Sequence, residues 1–355
     1  MLCLFVTNFV QLVCARVAAA VGEAGCMPPT YSLVGDYFAG AVERTRAMAF
    51  YFLAGPIASL VSFGLGGWLN DQYGWRLTFL FMGAPALFVA ILVKATVREP
   101  RVTLAATHAG RTAPKMATVL ATLWGHRSSR HLSIATILLF SMGLGLSPWY
   151  AAFLIRSHGL GTTELGLWMG LIFGFGGMAG IWAGGYASSR WFANDERGQL
   201  RLSAIVIALL VPCFLLFLLV PNKHQALIAL VPLAMALSFF FGPSFALMQR
   251  LVPDDMRATT LATVMLLANL LGMGLGPQIV GVLSDLLAPS FGIDSLRYAM
   301  LGVSFVALWA AFHFWQAGQS VQEDLAACEV TSATPRSIDE QRSYTRMCVD
   351  PAQEP

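Results

Sequence analysis

Residues 16–46 read RVAAAVGEAGCMPPTYSLVGDYFAGAVERTR. Arg16 and Glu23 are the only charged residues between positions 16 and 35, and Asp36, Glu43, Arg44 and Arg46 close the stretch. About 20 mainly apolar residues suffice to cross a hydrocarbon layer of about 30 Å. An ionisable pair inside such a run is costly and is usually kept for handling a substrate or a proton. Seven residues apart, Arg16 and Glu23 fall on one face of a helix, about 10 Å from each other along its axis.

The rest of the chain extends this reading. Hydrophobic residues make up 57% of it, charged residues 12%, and the mean hydropathy is +0.66, against about 25% charged residues in an average soluble domain. An all-α polytopic membrane protein follows. Full spans are expected near 16–37, 46–69, 76–97, 132–155, 165–188, 200–220, 225–248, 258–282 and 297–316, and residues 1–14 read as the remaining end of a further span. The net charge of +3 comes with no dense basic run, so no nucleic-acid partner is expected. Cys3, Cys14, Cys26, Cys213, Cys328 and Cys348 show neither disulfide nor zinc spacing.

Residues 98–130 carry Arg98, Arg101, Arg111, Lys115, Arg127 and Arg130 against the single acid Glu99, and residues 317–355 mix charges with Ser, Thr and Pro. The first region reads as a cytoplasmic linker and the second as a disordered cytoplasmic tail. Alternating the loops from there puts 13 Lys and Arg on the linker's side and four, Arg76, Arg156, Lys223 and Arg297, on the other. A multi-pass protein of a plasma or bacterial inner membrane, with its C-terminus in the cytoplasm, is the expected localisation.

A repeat links the two halves. Arg46-Ala47 is followed by Gly64, Gly66 and Gly67, by GWLND at 67–71 and by FLFMG ending at Gly83; Arg257-Ala258 is followed by Gly272, Gly274 and Gly276, by GVLSD at 281–285 and by YAMLG ending at Gly302. A parallel repeat joined by a basic linker is what a transporter of two related helical halves shows.

The strings ARVAAAVGEAGCMPPTYSLVGDYF (15–38), ERTRAMAFY (43–51), GGWLNDQYGWRLTF (66–79) and VREP (97–100) resemble the major facilitator superfamily, and within it the Spinster-like branch. In the second half, RSHGLGTTELG (156–166), GGYASSR (184–190), VPDDMRATTLA (252–262) and GLGPQIVGVLSD (274–285) continue the resemblance. It implies two six-helix bundles around a central cavity. Aligning the linker with the family's central loop places all missing helices at the N-terminus, so the resemblance implies an N-terminally truncated member without the first two helices and most of the third. The implied division is 1–97 as the remainder of the N-terminal bundle, 98–130 as linker, 131–316 as the C-terminal six-helix bundle and 317–355 as tail. One departure is Ser189, at a loop position where the family usually carries an acid.

The resemblance assigns Arg16 and Glu23 to the cavity of the first bundle, where they would bind substrate and proton; a salt bridge that only positions the helix is the plainer reading. Tyr31, Trp149, Tyr150, Gln249, Asn269 and Gln278 are polar or aromatic residues within spans, with Tyr31 and Asn269 as substrate-binding candidates. Trp149 and Tyr150, near a span end, also read as members of an interfacial aromatic belt. Asp36, Arg44 and Arg46, with Asp254, Asp255 and Arg257 as second-half counterparts, are gating candidates or simply solvated helix ends. No G-x-x-x-x-G-K-[ST] string, metal cluster or nucleophile constellation appears, and His108, His126, His131, His158, His224 and His313 are scattered. Neither an enzyme nor a cofactor is expected. The function implied is secondary active transport of a small organic solute, amphipathic or anionic, by alternating access, with a proton as coupling ion. The rival is a truncated, non-transporting membrane protein or an interaction partner.

Overall fold

Backbone groups in lipid must be satisfied within their own segment, which leaves helices as the natural form for apolar runs without strand periodicity. The computed structural model describes residues 5–24, 30, 37, 41–97, 116–192, 195–253 and 256–333, and every regular element among them is a helix. Helix α1 spans Phe9–Ala24, α2 Ala41–Thr96, α3 Met116–Gly125 and α4 Arg127–His158. Then come α5 (Thr162–Leu171), a π-helical turn (Ile172–Gly176), α6 (Gly177–Trp191), α7 (Glu196–Ala208) and α8 (Leu210–Leu219). Lys223–Phe239 forms α9, Phe241–Arg250 α10 and Arg257–Asn269 α11; a second π-turn (Leu270–Leu275) leads into α12 (Gly276–Phe291). A 3-10 turn (Gly292–Asp294), α13 (Ser295–Ser304) and α14 (Val306–Ala333) end the described chain.

Six of these stretches are long and apolar enough to cross a membrane, and two of them hold two spans each. Two helices meet inside α2 at Gly74, whose φ of 73° lies in the left-handed region, where glycine alone pays no steric penalty. The Gly292–Asp294 turn likewise folds α12 back against α13. At the end of α4, Gly159 (φ 66°) caps the helix, with its amide and that of Leu160 bonded to the carbonyls of Ile155 and Leu154.

The core lies between 119 and 325 and is strongly aromatic: Tyr150, Phe153, Phe214, Phe217, Phe240 and Phe314 are fully buried. Helix α4 runs through it, packed against α14, α12, α11 and α10. Small residues let backbones touch. Gly145 and Gly276 bring α4 and α12 together, and Gly180 and Gly184 of α6 lie against the carbonyls of Met235 and Phe239. Outside this core, large apolar side chains such as Leu266, Leu270, Met273, Ile279 and Leu286 are exposed.

Three expectations are corrected. No break separates residues 9–14 from a span starting at 16, because α1 runs unbroken through Cys14 and Arg16; no glycine or proline lies between Phe9 and Val21 to interrupt it. The tail is not disordered from 317: α14 continues to Ala333, with Ala317, Val321 and Leu325 buried. Its charged residues, Glu323 and Asp324 among them, occupy the other positions of a helix with one packed face. Within 98–130, residues 116–125 are helical and bury Val119 and Leu123, and Arg127 already belongs to α4.

Candidate functional site

Residues 5–97 meet the rest of the described chain chiefly where α2 crosses α5 and the first π-turn. The crossing is built from glycine. A Cβ on Gly67 would lie 2.6 Å from the Thr162 carbonyl oxygen and 3.0 Å from the Gly166 Cα; one on Gly166 would collide with the Phe63 carbonyl oxygen; one on Gly170 would lie 3.0 Å from that of Leu60. Close approach of this kind gains dispersion contacts where lipid supplies no hydrophobic drive.

At one rim the crossing is tied by a polar fork. Thr162 Oγ1 donates to Asp71 Oδ1 at 3.2 Å and Thr163 Oγ1 donates to Asp71 Oδ2 at 3.0 Å. Beside it, Lys223 Nζ sits 2.9 Å from Glu164 Oε1 and fixes the start of α5 to the start of α9. Arg76 Nη2 reaches the Val6 carbonyl at 3.4 Å, and Arg297 pairs with Asp294 at 3.0 Å. The opposite rim carries Arg250 paired with Glu196 at 2.7 Å and Arg257 Nε donating to the Gln249 carbonyl at 3.0 Å.

The residues named from sequence are dispersed. Arg16 is exposed on α1 and makes no ion pair with another described side chain. Glu23 stands on the same helix, and Arg44 and Arg46 are on the first turns of α2; these three are placed by their backbone alone. Tyr31, Asp36, Asp254 and Asp255 lie outside the described residues. Asn269 ends α11 where the second π-turn begins; exposed, it donates Nδ2 to the Met265 carbonyl at 2.8 Å, which leaves Oδ1 as an outward acceptor. Gln278 is exposed on α12, and Trp149 Nε1 donates to the Pro277 carbonyl at 3.2 Å. Tyr150 is no belt residue: it is 1% exposed and stacked between Phe173 and Phe214. Ser189, in the position where an acid was expected, bonds back to the Tyr186 carbonyl. Asp71, Thr162 and Thr163 were missed, although GWLND and GLGTTELG both stand among the quoted strings. The one available signal was Asp71 itself, an acid at the end of a glycine-rich span.

If the fork holds the two parts together at this rim, Asp71→Ala loosens them. Two exposed hydroxyl–carboxylate bonds, at about 1 kcal/mol each, correspond to a population shift of about 5–30-fold. Spin labels on Gln72 and His224 should then show a longer distance component in Asp71→Ala; an unchanged distribution means that the fork bears no load.

Helical spans too apolar for water, with a glycine-lined crossing between two parts of the chain and a polar tie at one rim, define a multi-pass integral membrane protein. Comparison with known proteins agrees. The Major Facilitator Superfamily pattern matches residues 1–277, and the chain belongs to that family. An MFS-type efflux pump of Mycolicibacterium smegmatis is 31% identical over 325 residues, covering 89% of this chain and 72% of the pump. Protein spinster homolog 3 of Danio rerio is 22% identical over 352 residues, covering 92% of this chain and 70% of its own length. The crystal structure of a bacterial homologue of the human lysosomal transporter Spinster, inward-facing and unoccupied, superposes with a TM-score of 0.73 at 22% identity, covering 91% of this chain and 80% of that one. The fold is therefore that of a Spinster-like major facilitator transporter.

Proposed function

We propose that this chain is a secondary active transporter that moves a small organic solute, amphipathic or anionic, by alternating access coupled to protons. The observation that carries the reading is the α2–α5 crossing, where two parts of a major facilitator chain are held at one rim by glycine contacts and by Asp71. A crossing that has two discrete arrangements lets a solute site face either side in turn. In this reading Arg16 attracts the anionic group and Glu23 takes the proton; Tyr31 and Asn269 line the path. Asp36, Arg44, Arg46, Asp255 and Arg257 gate the arginine-rich rim, which is the cytoplasmic one by its excess of Lys and Arg. The efflux pump among the relatives points this reading toward export.

The test is reconstitution. Proteoliposomes with an imposed proton gradient should accumulate at least one member of a panel of small organic anions and amphipathic amides, and collapse of the gradient with a protonophore should return the level to that of empty vesicles. A second reading, a non-transporting interaction partner, is favoured by one observation: α1 is exposed over most of its surface, with Val10, Val13, Val17 and Val21 all outward. Absence of transport across the whole panel, together with a partner chain co-purifying on α1, selects that reading.

A further inference from the structure

Two histidines 182 residues apart meet on the arginine-rich half of the second bundle. His131 Nδ1 of α4 lies 2.8 Å from His313 Nδ1 of α14, with ring centroids 5.0 Å apart. His313 is 9% exposed, and Trp309 and Phe312 enclose its ring at 6.0 and 5.5 Å. About three turns further along α14, toward the rim, Asp324 accepts from the Ser128 amide at 2.7 Å and lies 3.8 Å from His126 Nδ1. Beyond that, Cys328 Sγ reaches the Leu251 carbonyl at 3.6 Å. The part of α14 from His313 onward is thus fastened to α4 and to the end of α10 by a short series of polar contacts, of which the imidazole pair is the innermost.

Proton counting sets what the pair can do. An Nδ1···Nδ1 hydrogen bond needs one ring with its hydrogen on Nδ1 and one ring with Nδ1 bare. In the fastened arrangement the donor ring can take one further proton on Nε2, and the bond survives as an imidazolium–imidazole bond. A second proton has only the bare Nδ1 to go to, and it breaks the bond. Arg127 and Arg130, four residues and one residue before His131, are the charged residues nearest to it along α4. From α7, Arg197 and Arg201 flank α14 at Gly318, with Arg201 over the Trp315 ring at 5.1 Å, and α11 begins with Arg257. Asp324 and the exposed Glu323 are the carboxylates of α14 on this side. Unfastened, each imidazole reaches water and takes its own proton.

We propose that His131 and His313 form a proton-binding site, separate from the Arg16–Glu23 helix, whose occupancy decides whether α14 is fastened to α4. The unfastened arrangement binds one proton more than the fastened one. The ratio of unfastened to fastened chains therefore rises up to about tenfold per pH unit below the ordinary imidazole range near 6.5.

Hydrogen exchange of the amides of 317–328, measured on the full chain in nanodiscs and corrected for intrinsic rates, tests this. Between pH 7.5 and pH 5.0 the wild-type opening constant should rise about tenfold or more. In His313→Gln and in His131→Gln, each of which fills much of the space without a titrating ring, the rise should be below about twofold. Asp324→Asn should keep the wild-type rise. The two histidine variants remove the pair from opposite helices, so loss of folding in one leaves the other as the test. A flat wild-type profile, a full rise in either folded histidine variant, or its loss in Asp324→Asn, overturns the proposal. None of these readouts depends on transport, so the proposal and the transporter reading fail separately.

Discussion

Gly166→Leu is expected to lower solute uptake by about 5–150-fold while leaving membrane insertion intact. The argument starts from the backbone. At the α2–α5 crossing a Cβ on residue 166 already collides with the Phe63 carbonyl oxygen and lies 3.0 Å from the Gly67 Cα. Both neighbours are main-chain atoms of a helix, so no rotamer change relieves the contact, and the helices must separate or slide. Overpacking of this kind costs about 1–3 kcal/mol, and a shift of that size in a two-state element changes populations by about 5–150-fold. Gly66 is the internal control. It lies on the same span, one residue from Gly67, with no heavy atom within 4 Å of its Cβ position. Gly66→Ala should transport normally and gain about 0.5–1 kcal/mol of helix stability. Initial uptake rates into proteoliposomes, normalised to the reconstituted amount, decide the matter. Wild-type rates in Gly166→Leu, or equal losses in the two variants, remove the crossing from the transport cycle.

The same crossing shows why some of this molecule was legible in its sequence and some was not. Spans are one-dimensional features: an apolar run declares its length, and Gly74 and Gly159 mark the ends of the spans they follow. The repeat of GWLND and GVLSD pointed to paired halves in the same local way. The Asp71 fork joins residues 91 and 92 positions apart, and the histidine pair joins residues 182 positions apart; no local pattern encodes such a meeting, and His131 and His313 read singly look like scattered rings. Tyr150 was misplaced for a related reason. Near a span end a tyrosine suits an aromatic belt, but here Phe173, Phe214 and Phe217 surround it, and those three come from distant segments. The course of α1 was misjudged because Arg16 looked like a boundary. A charged residue need not interrupt a helix, and α1 carries Arg16 in its middle.

Arg16 in the middle of a helix is also the ground for the second large effect. Glu23→Gln should leave the protein folded and able to exchange solute, but should cancel proton-driven accumulation. Both positions lie on α1, two turns apart and therefore on one face. In an apolar environment a carboxylate has its proton affinity raised by desolvation and lowered by a nearby cation, so its charge follows what sits beside it. In the proposed cycle, an anionic solute drawn to Arg16 would offset the cation's field at Glu23 and favour proton uptake, its departure would reverse this, and the two movements would be coupled. Glutamine keeps the shape and loses the titration. With one proton carried per solute, a gradient of one pH unit supports up to about tenfold accumulation, each tenfold being about 1.4 kcal/mol. In Glu23→Gln the accumulation ratio should fall to about one, while counterflow of labelled against unlabelled solute, which needs no net proton movement, should persist. Loss of both activities marks a structural role for Glu23, and retention of both transfers the coupling proton to another group.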